Sequence, residues 1–336
     1  MRIALDAMGG DNAPAVNIEG AVLTVNEHTD IDVVLVGDEA LIRQGLSHRK
    51  YDTDRISITH ASQVVDMHES AAASIRKKRD SSIKIGVGLV KSGKADGFVS
   101  AGHSGVVMAA SLLMLRKCRG VDRPAIATLM PAINGRFMML DVGATVDCKP
   151  ENLLQFALMG STYCNLVMGI PNPKVALLSI GEEDIKGNEL TKEAFGLIKA
   201  SKLNFTGNIE GKDIFRGKAD VVVCDGFIGN IALKISEGLA ETILKMLKQE
   251  ISSLSTGKIG YFMMKPAIKN FKKRTDYDEY GGAPLLGING ASIISHGRSS
   301  SKAIKNALKV AADYAREKVY EEISVAIEHN LPKRRN

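Results

Sequence analysis

The sequence predicts an α/β protein with three layers, α/β/α, around a mostly parallel sheet. Three observations carry that prediction. Short runs of β-branched or aliphatic residues recur without polar alternation, the pattern of strands buried on both faces. Each run leads into a glycine-bearing loop, and each loop into a helical pattern. Glycine accounts for 32 of 336 residues, above the usual share of about 7%, and many of these glycines lie in those loops.

Taken in order, Ile3–Asp6 precedes a glycine loop and a helix around 14–26. Val33–Val36 passes through Gly37-Asp38 into a second helix. Gly97–Ser100 leads to a helix near 105–116, and Met138–Val142, Val175–Ile180 and Val221–Cys224 repeat the arrangement. A long helical stretch at 228–256 carries Ile231, Ile235, Leu239, Ile243, Leu247 and Ile251 at four-residue steps, which makes a packing ridge. The ridge suits an internal core helix and a dimer interface equally well. No internal repeat, low-complexity block or Pro/Ser-rich linker cuts the chain, so residues 1–336 read as one large α/β domain. A protruding amphipathic helical segment at about 257–275 is its one compositional break.

The net charge of +6 is local. Lys258, Lys265, Lys269, Lys272, Lys273 and Arg274 stand together without an acid, and Lys333, Arg334 and Arg335 follow in the tail. The remaining body is slightly acidic. That distribution disfavours a broad nucleic-acid surface and points to local contact with something anionic. Aromatic residues make up 5% and Trp is absent, which also argues against a base-stacking RNA binder. Around Pro266, Ile259, Phe262 and Met263 form one short apolar face and Ile268 and Phe271 a second, both flanked by lysines. Apolar faces bordered by cations suit an anionic lipid surface, with docking of an acidic protein and a solvated charged loop as the alternatives.

The beginning of the chain, MRIALDAMGGD, has no apolar signal-peptide core, and no stretch approaches the roughly 20 apolar residues of a membrane span. A cytoplasmic protein is expected. Cys118, Cys148, Cys164 and Cys224 form no CxxC pair and sit among apolar neighbours, so reduced core thiols are expected rather than a metal site.

In parallel α/β sheets, ligands bind beyond the carboxyl ends of the strands, where helix N-termini offer N–H groups. Five loops qualify, and the reading puts them along one sheet edge. They contain Asp6, Gly9, Gly10 and Asp11; Ser100, Gly102, His103, Ser104 and Gly105; Asp141; Lys186 and Asn188; and Asp225 and Asn230. His296, in the run His296-Gly297-Arg298-Ser299, adds a candidate anion cradle. Lys186 and Lys234 are each either an anion ligand or a solvated lysine, and His103 lies in a Gly/Ser loop where proton transfer is plausible. Neither a G-x-G-x-x-G fingerprint nor a P-loop occurs, which disfavours nucleotide chemistry, and no GxSxG elbow or activated cysteine supports a covalent nucleophile.

At these residues the chain resembles a known family. Asp6-Ala7-Met8-Gly9-Gly10-Asp11, the Ser100–Gly105 loop, Asp141-Val142-Gly143-Ala144, Gly187-Asn188-Glu189-Leu190, Asp225-Gly226-Phe227 and Tyr280-Gly281-Gly282-Ala283 resemble the bacterial phosphate acyltransferases over about residues 1–325. His103 and Ser104 stand where that family often carries Asn and Thr. The resemblance implies transfer of a long acyl chain from acyl carrier protein to inorganic phosphate, giving acyl phosphate for phospholipid synthesis. It also implies a fold similar to isopropylmalate dehydrogenase and phosphotransacetylase, a homodimer, peripheral membrane association, and no cofactor or metal. Lys186, His103 and Lys234 are the expected catalytic residues. The alternatives are an NAD-dependent hydroxy-acid dehydrogenase of similar fold and a non-catalytic membrane scaffold for lipid enzymes.

Overall fold

The computed structural model describes residues 1–66, 69–253, 260, 262–267, 269, 271 and 277–330. Its centre is an eleven-stranded sheet in the order β3-β2-β1-β4-β11-β10-β5-β6-β9-β7-β8. The first five strands of that row are β3 (Ile56–His60), β2 (Asp32–Gly37), β1 (Arg2–Asp6), β4 (Gly97–Ser100) and β11 (Ala291–Ile294), all mutually parallel. The last four, β6 (Gly135–Leu140), β9 (Val221–Val223), β7 (Val175–Ser179) and β8 (Phe205–Glu210), are also mutually parallel. Between the groups lie β10 (Ala283–Leu286) and β5 (Ala125–Ala132). The three successive antiparallel pairings there reverse the direction of the second group.

Each parallel half is covered on both faces, which explains its near-continuous apolar strands. In β1 and β2, Ile3, Leu5, Val33 and Leu35 face α1 (Ala15–Glu27) and the helix Ser301–Arg316, burying Ile18, Ile304 and Leu308 with them. The alternate residues Ala4 and Val34 face the other way, toward Ile83 and Val87 of α4 (Ser82–Lys91) and Val106 and Val107 of α5 (Ser104–Met114). In the second half, Met138, Leu140, Val175 and Val221 meet Leu153 and Phe156 of α6 (Pro150–Leu166) and Ile323 of the helix Val319–Asn330. Phe137, Met139, Ala176 and Val222 face a second core that Leu233 of α8 (Gly226–Ser253) helps to cover. Full burial of such a side chain stabilises by about 1.5–3 kcal/mol. A polar residue on either face of these strands would forfeit that gain.

The reversal corrects one expectation. The glycine loops do not share a sheet edge: those after β1 and β4 leave one edge, and those after β6, β7 and β9 leave the opposite one. The two halves are joined across β11, β10 and β5: β10 bonds β11 through Ala283 and Pro284 and β5 through Leu285 and Leu286.

The ridge on α8 bears on the first of its two readings. Ile235 and Leu239 are 63% and 56% exposed in the single chain, so α8 is not an internal core helix along its length. No helix among the described residues is long and apolar enough to cross a membrane. Ile259 and Ile268, with Lys258, Lys272, Lys273 and Arg274, lie outside the described residues, as do Lys333, Arg334 and Arg335. Phe262, Met263 and Phe271 are exposed. Cys118, Cys164 and Cys224 are buried and Cys148 half-buried, all as free thiols. Burial pushes Cys118, Cys148 and Cys164 up to about 12, away from nucleophilic thiolate.

Candidate functional site

A cleft of about 440 Å³ opens over the central strands β5, β10 and β11, between the two halves of the sheet. Asp11, Gly102 and Ser104 enter from the first half, and Val142 and Gly143 from the second. Asn230, Lys234 and Glu237 come down from α8, and His296, Gly297, Arg298 and Ser299 from the turn after β11. Ile126, Thr128 and Leu129 of β5 are also in its wall. Six predicted residues therefore converge here: Asp11, Gly102, Ser104, Asn230, Lys234 and His296.

Other predicted residues build the walls. Asp6 is buried and accepts from the Ser100 hydroxyl at 2.7 Å and the Met8 N–H at 3.1 Å. Ser100 Oγ in turn accepts from the Gly102 N–H at 3.0 Å, so a buried carboxyl, raised by its burial, locks the β1 loop to the β4 loop. Gly9 is buried in the same knot, its carbonyl accepting from Asn17 Nδ2 at 2.8 Å, and Gly10 follows at φ +102°. The Asp11 N–H donates to the Gly297 carbonyl at 2.8 Å, tying in the third loop. Asp141 plays the matching part in the second half. It accepts from four backbone N–H groups, those of Ile126 (2.9 Å), Gly143 (3.1 Å), Ala144 (3.0 Å) and Thr145 (2.6 Å). With both oxygens engaged and no exposed surface, Asp141 shapes the cleft from behind.

Two residues turn out to be helix caps, for which short polar side chains are the usual choice. Asp225 accepts from the Phe227 and Ile228 N–H groups at 3.0 and 2.9 Å at the start of α8. Asn188 accepts from the Thr191 N–H at 2.9 Å at the start of α7 (Glu189–Lys199). Lys186 is exposed in the turn before it. Neither Asn188 nor Lys186 lines the cleft, since β9 stands between β7 and β6 and carries their loop away. His103 occupies the cap position of α5 without making a side-chain cap bond, and its ring lies over Gly105 outside the cleft wall. The start of α5, which carries the partial positive charge of a helix N-terminus, is therefore without a side-chain cap, and its first residue, Ser104, lines the cleft.

The cations are close and partly balanced. Lys234 pairs with Glu237 at 2.8 Å, and Arg298 stands 3.9 Å from Glu241. The Arg298 N–H donates to His296 Nδ1 at 3.1 Å, which fixes the lone pair on Nδ1 and the proton of the neutral ring on Nε2. Partial burial, then the neighbouring Lys234 charge, holds this imidazole below its ordinary 6.5. The arrangement can hold a small anion between cations and helix N–H groups and can present a neutral imidazole as a donor. The pattern of strands and glycine loops missed Glu237, Thr128 and Ser295. Their only trace in sequence is position, one turn past Lys234, within β5, and directly after the Ile293-Ile294 end of β11.

A family model described as fatty acid synthesis protein matches residues 1–322. The phosphate acyltransferase of Thermodesulfovibrio yellowstonii is 58% identical over 327 residues, 97% of this chain and 94% of that protein. That of Geobacter sulfurreducens is 52% identical over 328 residues, 98% and 94% of the two chains. Among solved structures, a phosphotransacetylase from Streptococcus pyogenes superposes with a TM-score of 0.65 at 20% identity, covering 94% of each chain. A 4-hydroxythreonine-4-phosphate dehydrogenase from Klebsiella pneumoniae does so at 0.54 and 12%, covering 94% of this chain and 97% of that one. These two share the α/β/α fold.

Proposed function

The chain belongs to the fatty acid synthesis protein family and is a phosphate acyltransferase, and on that premise we propose that it moves a long acyl chain from acyl carrier protein to inorganic phosphate. The observation that carries the site assignment is the meeting of Lys234, Arg298 and the uncapped start of α5 in one cleft between the sheet halves. Phosphate is a weak nucleophile, and holding it desolvated against a thioester replaces a bimolecular encounter with an oriented one. Lys234, Arg298 and the Ser104 and Gly105 N–H groups bind the anion. One phosphate oxygen attacks the thioester carbonyl carbon, and His296 Nε2–H donates to the oxyanion that forms. The C–S bond then breaks, the thiolate leaves with the electron pair, and acyl phosphate remains. No acyl-enzyme intervenes, because a thiolate is a good leaving group. Asp11 and Asn230 line the same cleft, where they would border the substrates.

Incubation with acyl carrier protein thioester and phosphate, followed by hydroxylamine trapping, should give hydroxamate that requires both enzyme and phosphate. Its absence would defeat the reading, and with it the choice over a scaffold or a dehydrogenase.

The exposed α8 ridge and the basic segment supply the partners. Ile235, Leu239, Ile243 and Leu247 offer a row of apolar side chains that a second copy would cover. Ile235→Glu with Leu239→Glu should convert a dimer to a monomer in light scattering. Phe262 and Met263, 76% and 77% exposed beside Lys265, suit the surface of an anionic membrane, which supports the reading of a cytoplasmic enzyme bound peripherally to it. Phe262→Glu with Phe271→Glu should abolish flotation with anionic liposomes; unchanged flotation would assign the segment to the carrier protein instead.

A further inference from the structure

Beside the proposed phosphate site stands a hydroxyl to which the reaction so far gives no part. Ser295 directly follows β11, is 5% exposed, and donates its backbone N–H to the Ser100 carbonyl at 2.8 Å. The residue lines the cleft, and among the described residues its Oγ has no hydrogen-bond partner. Buried hydroxyls are as a rule hydrogen bonded, so a lone one in the wall of an open cleft marks the place of a ligand atom. The space around it is preserved by Gly282 at φ +86°, where a β-carbon would come 2.9 Å from Ser295 Oγ.

The surroundings select the ligand. The adjacent His296 lies within the fields of Lys234 and Arg298, which Glu237 and Asp11 offset in part, so two cations stand within reach of this end of the cleft. Ser299 and Ala303 bring the start of the helix Ser301–Arg316 to the same wall. A nearly enclosed hydroxyl beside two cations and a helix start matches one oxygen of a small anion. We propose that Ser295 binds the phosphate substrate, its Oγ–H donating to a phosphate oxygen while Lys234 and Arg298 balance the charge. This assignment rests on the phosphate acyltransferase reading.

Ser295→Ala removes one oxygen and no existing hydrogen bond, so in phosphate-free buffer its Tm should equal or exceed that of the wild type. Added inorganic phosphate should raise the wild-type Tm and raise that of the variant less. In turnover, the phosphate KM of the variant should rise about tenfold or more while the acyl-donor KM stays unchanged. Equal phosphate KM and equal phosphate-induced Tm shifts would overturn the proposal. So would a fall in kcat alone, which would put the hydroxyl on the thioester oxygen. Ser295→Cys, nearly isosteric and a weak donor, should show the same loss and serves if the alanine variant does not fold. The Tm shift is read without acyl donor. A wild-type protein that binds phosphate yet yields no hydroxamate would therefore sink the acyl transfer and not the Ser295 contact.

Discussion

Asp141 was expected to touch substrate, and the structure makes it a clamp, which Asp141→Asn tests directly. One carboxylate oxygen accepts from the Ile126, Gly143 and Ala144 N–H groups, and the other accepts from Thr145 at 2.6 Å. Asparagine has one acceptor oxygen. If it keeps the three-donor side, its NH₂ group meets the Thr145 N–H, donor against donor, and a buried donor is left unpaired. A hydrogen bond to a charged acceptor contributes about 1.5–3 kcal/mol, and an unsatisfied buried group adds about 1–3 kcal/mol. Opposing this, the variant no longer buries a carboxylate, which burial already pushes up in pKa. The expected balance is about 2–4 kcal/mol of destabilisation. At about 2 °C per kcal/mol for a chain of this size, Tm should fall by roughly 4–8 °C. Turnover should fall as well, because Gly143 and Ile126 line the cleft that Asp141 holds open. Thermal melts and hydroxamate assays on the purified variant read both. A variant as stable as the wild type with unchanged phosphate KM would show that the carboxylate does not hold these loops.

Gly9→Ala places a β-carbon 2.4 Å from Asp6 Oδ2 and 2.6 Å from the Gly102 nitrogen. Overpacking of this kind costs about 1–3 kcal/mol, so melts should show a lower Tm and assays a weaker phosphate response; wild-type values for both would refute the knot. Lys234→Ala removes a charge-assisted contact of about 1.5–3 kcal/mol, so phosphate KM should rise roughly 10–100-fold at about 1.4 kcal/mol per tenfold. An unchanged KM would move the phosphate site elsewhere. His296 is held below 6.5 in the folded chain, so below that pH the unfolded chain takes up the proton first. Its share of stability is complete above 6.5 and is lost as pH falls toward the folded value. His296→Asn should flatten that part of a Tm-against-pH curve, and an unaltered slope would show that the residue is not held neutral by its neighbours.

Local pattern was enough for the parallel halves. Ile3–Asp6, Val33–Val36 and Gly97–Ser100 announce themselves because both faces of each strand are buried, and their observed bounds differ by a residue or less at each end. The apolar run Met138–Val142 extends two residues past the end of β6 because Asp141 pulls the chain into a turn with its own carboxylate. β3, β5, β8, β10 and β11 passed unseen. β3 and β8 lie at the sheet edges with half-covered residues, and the short β10 and β11 are interrupted in sequence by Pro284 and Ser292.

Those short central strands decide which candidates meet. Lys186 and Lys234 have the same appearance in sequence: each stands a few residues beyond a strand, near glycine and acid. Only sheet order separates them. β9 lies beside β6, so α8, which follows β9, rises over the junction and delivers Lys234 into the cleft. β7 lies one strand farther out, and its loop delivers Lys186 to solvent. Strand order depends on long-range pairing between β10 and both β11 and β5, and no local window contains that information. The glycine loops therefore revealed which residues were suited to hold phosphate, while three antiparallel pairings at the centre of the sheet determine which of them stand together in the cleft.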